Sequence, residues 1–235
     1  MSAALTLPPM DVHGYSLSRR LVAEAVGTAF LLMAVVGGGI AAQRLSPDDA
    51  GLQLFEAAVV TAFALMVLIW SFGPISGAHF NPCVTLLDVA RGNRSIPEGA
   101  AYIGSQVAGG IAGTVLANLM FSLDAVEWSQ TVRGGAGQLL GEVIATLGLM
   151  MVIYLIGRPG GGGLGFVAPA VGVYIGGAYF FTSSTSFANP AVTASRMFSD
   201  TFAGIAPSSA PGFILMQLIG AGIALLLVRF LLEEE

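Results

Sequence analysis

The chain has 235 residues, 55% of them hydrophobic and 10% charged, with a mean hydropathy of +0.81; soluble domains carry about 25% charged residues, so this composition belongs to lipid. All nine basic residues are arginine and the formal net charge is -5, which excludes a nucleic-acid surface, since that would need a basic excess. A single cysteine, Cys83, and two histidines, His13 and His79, offer no disulfide, thiolate cage or transition-metal site, and no metal or cofactor is expected. No nucleophile-and-base constellation suggests an enzyme.

Residues 1–18, with Pro8, Pro9, Asp11 and His13, lack the basic segment, apolar core and cleavage site of a signal peptide and read as a solvated tail. Six apolar runs follow, at about 20–42, 52–73, 99–121, 138–157, 164–182 and 210–232, each of spanning length. Arg19, Arg20, Arg91, Arg94, Arg158 and Arg229 fall on one side of these spans. Arg44, Arg133 and Arg196 fall on the other, with Asp48, Asp49, Asp124, Glu127 and Asp200. The bias predicts that both termini are cytoplasmic, in a multi-pass protein of the inner (plasma) membrane. Arg158-Pro159 and the four glycines 160–163 read as a flexible connection on the same side as the termini.

Two segments interrupt this pattern: Ser76-Gly77-Ala78-His79-Phe80-Asn81-Pro82-Cys83-Val84-Thr85 after the second span, and Ser186-Phe187-Ala188-Asn189-Pro190-Ala191-Val192-Thr193 after the fifth. Each opens an apolar stretch of about ten residues, too short to cross a bilayer. Asparagine is a good N-cap and proline suits the first helical position, so both read as the start of a re-entrant half-helix. The repetition goes further. Glu24 in the first span matches Glu142 in the fourth, and Gln106 in the third matches Gln217 in the sixth. A single domain over 1–235 thus holds a first repeat at 20–121 and a second at 138–232. Because three spans make up each, the second copy lies upside down, and the two half-helices enter from opposite faces and meet near the midplane.

Helix N-termini carry unpaired N–H groups and about half a positive charge. Two meeting at the midpoint resist cations, while a neutral molecule finds the Asn81 and Asn189 amides as donors. Cys83 and Ala191 stand beside them. The carbonyls of Gly77, Ala78, His79 and Phe80, and those before Asn189, are expected to form an acceptor ladder. Glu24 and Glu142 read as acceptors for irregular backbone buried in the membrane, Gln106 and Gln217 as interhelical braces. Gly109 and Gly113 read as a close-packing pair.

These motifs resemble those of the major intrinsic proteins, the aquaporins and aquaglyceroporins, over nearly the whole chain. The resemblance implies an all-α membrane fold of six transmembrane helices and two re-entrant half-helices in an inverted 3+3 repeat. It also implies a pore in each protomer and a homotetramer. Most of that family has arginine directly after the second Asn-Pro-Ala, as part of the narrow filter; here that position is Val192. Spacing from the motifs puts further filter positions at Thr61 and Ser186. On the fifth span, constant spacing gives Gly177, which is favoured, and helix alignment gives Tyr179 or Phe180. Arg196, four residues after Val192, either reaches back to replace the missing arginine or pairs with Asp200. Cys83 is either a small buried residue or a sulfur near the midpoint that mercurials and trivalent arsenic would reach. His79 is expected to brace its loop while its carbonyl lines the pore. An opening walled by Thr61, Gly177, Ser186 and Val192 would admit solutes larger than water. The expected function is a passive channel for small uncharged solutes: water, glycerol and neutral metalloid hydroxides such as arsenite, the last because sequences with Asn-Pro-Ala-Val-Thr resemble a bacterial subgroup associated with metalloid movement. The alternatives are a water-selective pore and, further off, a coupled transporter.

Overall fold

A computed structural model describes residues 14–158 and 160–232. His13, the other tail residues before it, and Pro159 lie outside the described residues. The six long helices are α1 (Leu17–Leu45), α2 (Ala50–Ser76), α4 (Ile96–Met120), α5 (Gly135–Gly157), α6 (Leu164–Phe181) and α8 (Ala210–Leu232). Between them lie two short ones, α3 (Pro82–Ala90) and α7 (Pro190–Ser195). Each long helix has the length and hydropathy to cross a membrane, and the order long, long, short, long occurs twice.

The short helices differ. α3 holds nine residues, whereas α7 holds six and tightens at once into a 3-10 turn, Arg196–Phe198, so the second half-helix is shorter than its apolar stretch suggested. Both begin as their sequences dictate, with Asn81 Oδ1 accepting from Cys83 N at 2.9 Å and Asn189 Oδ1 accepting from Ala191 N at 2.9 Å and Val192 N at 3.2 Å. Proline at the following position removes a donor that would otherwise be orphaned.

Close approach of the backbones fixes the bundle. In α4 a Cβ on Gly109 would come within 2.1 Å of the Ala25 carbonyl oxygen, and one on Gly113 within 2.2 Å of that of Ala29. α4 therefore lies directly on α1. In the second half Gly220 of α8 plays the same part against the Val143 carbonyl of α5, at 2.4 Å. Without a hydrophobic drive between helices in lipid, contact of this kind is what favours association. The glycines at 160, 162 and 163 take positive φ in the turn between α5 and α6, a conformation open to them for want of a Cβ.

Candidate functional site

Both loops that lead into the half-helices run through left-handed backbone. Ala78 and Phe80 precede Asn81 by three and one residues with φ of 48° and 49°; Ser186 and Ala188 precede Asn189 by the same intervals with φ of 54° and 49°. Non-glycine residues held there cost on the order of 1 kcal/mol or more each, and the surrounding hydrogen bonds over-determine them. Glu24 accepts from His79 N at 3.0 Å, Phe80 N at 2.8 Å, Ser76 Oγ at 2.6 Å and Gln106 Nε2 at 2.8 Å. Glu142 accepts from Phe187 N and Ala188 N, both at 2.9 Å, and from Gln217 Nε2 at 2.6 Å. Gln106 also donates to Thr85 Oγ1 and Gln217 to Thr193 Oγ1, and each threonine hydroxyl donates to the carbonyl of its own N-cap asparagine. The repeat is thus duplicated down to single hydrogen bonds. Both carboxylates are fully buried, and neither lines the central cavity.

The N-termini of α3 and α7 meet. Asn81 Nδ2 donates to the Ala188 carbonyl at 2.9 Å, and Asn189 Nδ2 donates to the Phe80 carbonyl at 2.8 Å. A primary amide has two N–H groups. The facing loop fixes one of each pair, and the other remains available to the cavity that both asparagines line. Two of the ladder carbonyls, those of Phe80 and Ala188, are therefore tied to the asparagines. Gly77, Ala78 and His79 also line the cavity.

Most of the rest of the wall is apolar, and on the long helices it is periodic. Leu31 and Val35 on α1, Thr61, Leu65 and Ile69 on α2, Leu149 and Ile153 on α5, and Val167, Val171, Ile175 and Tyr179 on α6 all face this space. Each set recurs every fourth residue, which is one face of a helix. This stripe corrects the fifth-span position. Gly177 is exposed on the outer face of α6 and is absent from the cavity wall; Tyr179, two residues on and rotated to the opposite side, stands in it, and Phe180 is exposed. The same geometry displaces two midpoint residues. Cys83 and Ala191, two positions past their N-caps, turn into the protein with no exposure and do not line the cavity. Val84 and Val192, three positions past, do.

At the end of the cavity away from the termini a second opening is lined by Val35, Ala57, Arg133, Tyr179, Thr185, Arg196, Phe202 and Ala203. Val35, Tyr179 and Arg196 line both spaces and form the septum between them. Tyr179 is held there by a 3.0 Å hydrogen bond between its hydroxyl and Thr61 Oγ1. The guanidinium carbon of Arg196 lies over the Phe187 ring, 3.4 Å from its centroid, and Arg196 Nε donates to the Ala203 carbonyl. Arg196 does not pair with Asp200, whose carboxylate instead accepts from Gln130 N at 2.9 Å and Ser129 Oγ at 3.4 Å. The 3-10 turn at Arg196 explains this, because residue 200 no longer lies one α-turn further along. Ser186 also lines the cavity, and its buried Oγ has no partner among the described residues.

At the opposite end His79 is braced as its loop position suggested, with Nδ1 3.0 Å from Thr85 Oγ1 and its ring against Tyr102. Three residues escaped sequence reasoning here. Asp88 accepts from Arg94 Nε at 2.7 Å; Arg94 Nη2 and the Tyr102 hydroxyl both donate to the Ser76 carbonyl, at 3.1 and 3.0 Å. Together they clamp the end of α2. Arg94 had counted only as a topological charge. Val35, Val84 and the apolar stripes were also missed, although their four-residue spacing was present in the sequence.

Six apolar helices around a cavity, two half-helices meeting in it, and a wall without a carboxylate among the described residues define a polytopic membrane pore. Residues 11–184 match the family description "MIP: Major intrinsic protein". The chain is 48% identical over 223 residues to "Aquaglyceroporin AqpS" of Rhizobium meliloti, covering 93% of this chain and 92% of the relative. It is 34% identical over 204 residues to a "Probable aquaporin TIP-type" of Medicago truncatula, covering 81% and 78%. The X-ray structure of the aquaglyceroporin from Plasmodium falciparum shares its fold, with TM-score 0.70 at 20% identity over 92% of this chain and 95% of that one. The chain belongs to the major intrinsic protein family; it is a multi-pass membrane channel and not an enzyme.

Proposed function

We propose that the cavity is a passive pore for small polyols and neutral metalloid hydroxides as well as water. The observation that carries this reading is the pair of asparagine amides, each with one N–H fixed across the half-helix junction and one left for a solute. A linear polyol has hydroxyls along one edge and C–H groups along the other. The apolar stripes suit its C–H edge, and Arg196, the Thr61–Tyr179 hydroxyl pair and the free Ser186 Oγ suit its hydroxyls. Val192 stands where most of the family has its filter arginine, and Arg196 supplies that charge from the next turn. With Tyr179 in place of Gly177 the opening is narrower than the sequence suggested, so selection rests on this amphipathic match more than on width. Opposed helix N-termini and the Arg196 guanidinium both repel cations. The absence of a carboxylate from the wall, among the described residues, leaves no group to carry a coupling proton and disfavours the transporter reading.

The arginine bias and the family resemblance further support a homotetramer in the plasma membrane with both termini cytoplasmic. Proteoliposomes challenged separately with glycerol, arsenous acid and an impermeant osmolyte test the solute class by stopped-flow light scattering. Glycerol and arsenous acid flux well above that of empty vesicles supports it; water flux alone would return the protein to the water-selective class.

A further inference from the structure

The opening beyond the septum carries two arginines that the neutral-solute pore does not require together. The Arg133 and Arg196 guanidiniums both lie within 5.1 Å of the centre of the Phe187 ring, and both line the same space as Thr185 and the Tyr179 ring. Neither forms an ion pair among the described residues. Their hydrogen bonds go to three successive carbonyls: Arg133 Nε to Gly204 at 2.8 Å, Arg133 Nη2 to Phe202 at 3.0 Å, and Arg196 Nε to Ala203. Nη1 of Arg133 and both Nη groups of Arg196 keep donors that no described residue accepts. Asp200, four residues after Arg196, is already bound to Gln130 N and Ser129 Oγ, and Glu142 is taken up by Phe187 N, Ala188 N and Gln217 Nε2. Burial pulls the Arg133 guanidinium below its ordinary range, and Tyr179 and Glu142 only partly offset it.

Two guanidiniums fixed by backbone carbonyls, with free N–H groups facing one half-enclosed space, form a preorganised fork for a planar or tetrahedral oxyanion. We infer that this vestibule binds a small monoanion of the carboxylate or sulfonate type, and that the bound anion closes the septum to the neutral solutes of the pore. The anion bridges Arg133 and Arg196, accepts from the Thr185 hydroxyl, and sits over the passage between Tyr179 and Val35. The step rests on the pore reading given above.

Methanesulfonate tests it, because its acid is strong and no neutral form crosses the lipid; dimethyl sulfone is its uncharged counterpart of similar shape. Glycerol influx into proteoliposomes is measured with each added, every variant being referred to its own unblocked flux. Concentration-dependent block by methanesulfonate at millimolar levels is expected, with little effect of the sulfone. Arg133→Gln should weaken the block about ten-fold, the equivalent of one charge-assisted hydrogen bond, and Arg133→Lys should restore part of it. Equal block of the parent and Arg133→Gln, or equal block by the sulfone, would overturn the site. Titration calorimetry of methanesulfonate into the purified protein and Arg133→Gln gives a second readout independent of transport: equal binding to both overturns the site as well. Absence of glycerol flux in the unblocked parent would instead overturn the pore reading, so the two failures are distinguishable.

Discussion

Arg196 brings together, in one side chain, the charge and the directed donors of the narrow end. It is 4% exposed and stacked on Phe187, so its position is set by packing, and Arg196→Ala should remove both a barrier to cations and a hydrogen-bonding rail for hydroxyls. The expected result is a change of about ten-fold in the glycerol-to-water flux ratio, with a cation leak above background in the same vesicles; unchanged solute and ion selectivity would sink the replacement of the filter arginine. Tyr179 and Gly177 give a paired test two residues apart. Tyr179→Ala should admit longer polyols, while Gly177→Ala, on the outward face with its nearest neighbour 4.0 Å from the added carbon, should leave every flux as it was. Cys83, enclosed behind the N-cap of α3, should give Cys83→Ala no change in permeability and the parent no rapid block by mercurials.

At the scale of the elements, the strained loops persist because Glu24 and Glu142 accept their otherwise orphaned N–H groups. Glu142→Leu leaves Phe187 N and Ala188 N unsatisfied, at about 1–3 kcal/mol for each buried donor, and should lower the thermal midpoint of the detergent-solubilised protein by several degrees or prevent its recovery. A conservative Glu142→Gln keeps one acceptor and should lose less. Contact between α1 and α4 is tested within one helix. Gly109→Val would drive side-chain atoms into the Ala25 carbonyl and should cost about 1–3 kcal/mol or more, whereas Gly104→Ala, with nothing within 4 Å of the added carbon, should be silent in the same thermal scan. The elements were legible in the sequence for physical reasons. Apolar runs and the glycines at 160–163 set the limits of the six long helices to within about three residues, the Asn-Pro caps set the starts of the half-helices, and the duplicated Glu, Asn-Pro and Gln order announced the two networks. The facing of α6 was not legible from motif spacing, because loop length between helix and half-helix is free to vary; the stripe Val167, Val171, Ile175, Tyr179 carried that information at one residue in four. Nor could the sequence show that α7 tightens at Arg196 and so separates it from Asp200.

For the whole molecule, poverty in charge and in reactive side chains follows from what a neutral-solute pore uses: backbone carbonyls, helix termini, two amides and one guanidinium at its narrow end. The clamp of Asp88, Arg94, Tyr102 and Ser76 at one end keeps charge in the framework, whereas Arg133 and Arg196 at the other stand in the wall of the opening. A rigid, doubly braced midpoint of this kind fits a pore open to both sides, and it disfavours a site that alternates between them. Glycerol influx into proteoliposomes, followed by stopped-flow light scattering over a range of temperatures with and without proton and sodium ionophores, tests this most directly. Downhill flux is expected, with an activation energy well below that of bare lipid and no effect of either ionophore. Flux that appears only with an imposed proton or sodium gradient, and collapses when the ionophore is added, would contradict it.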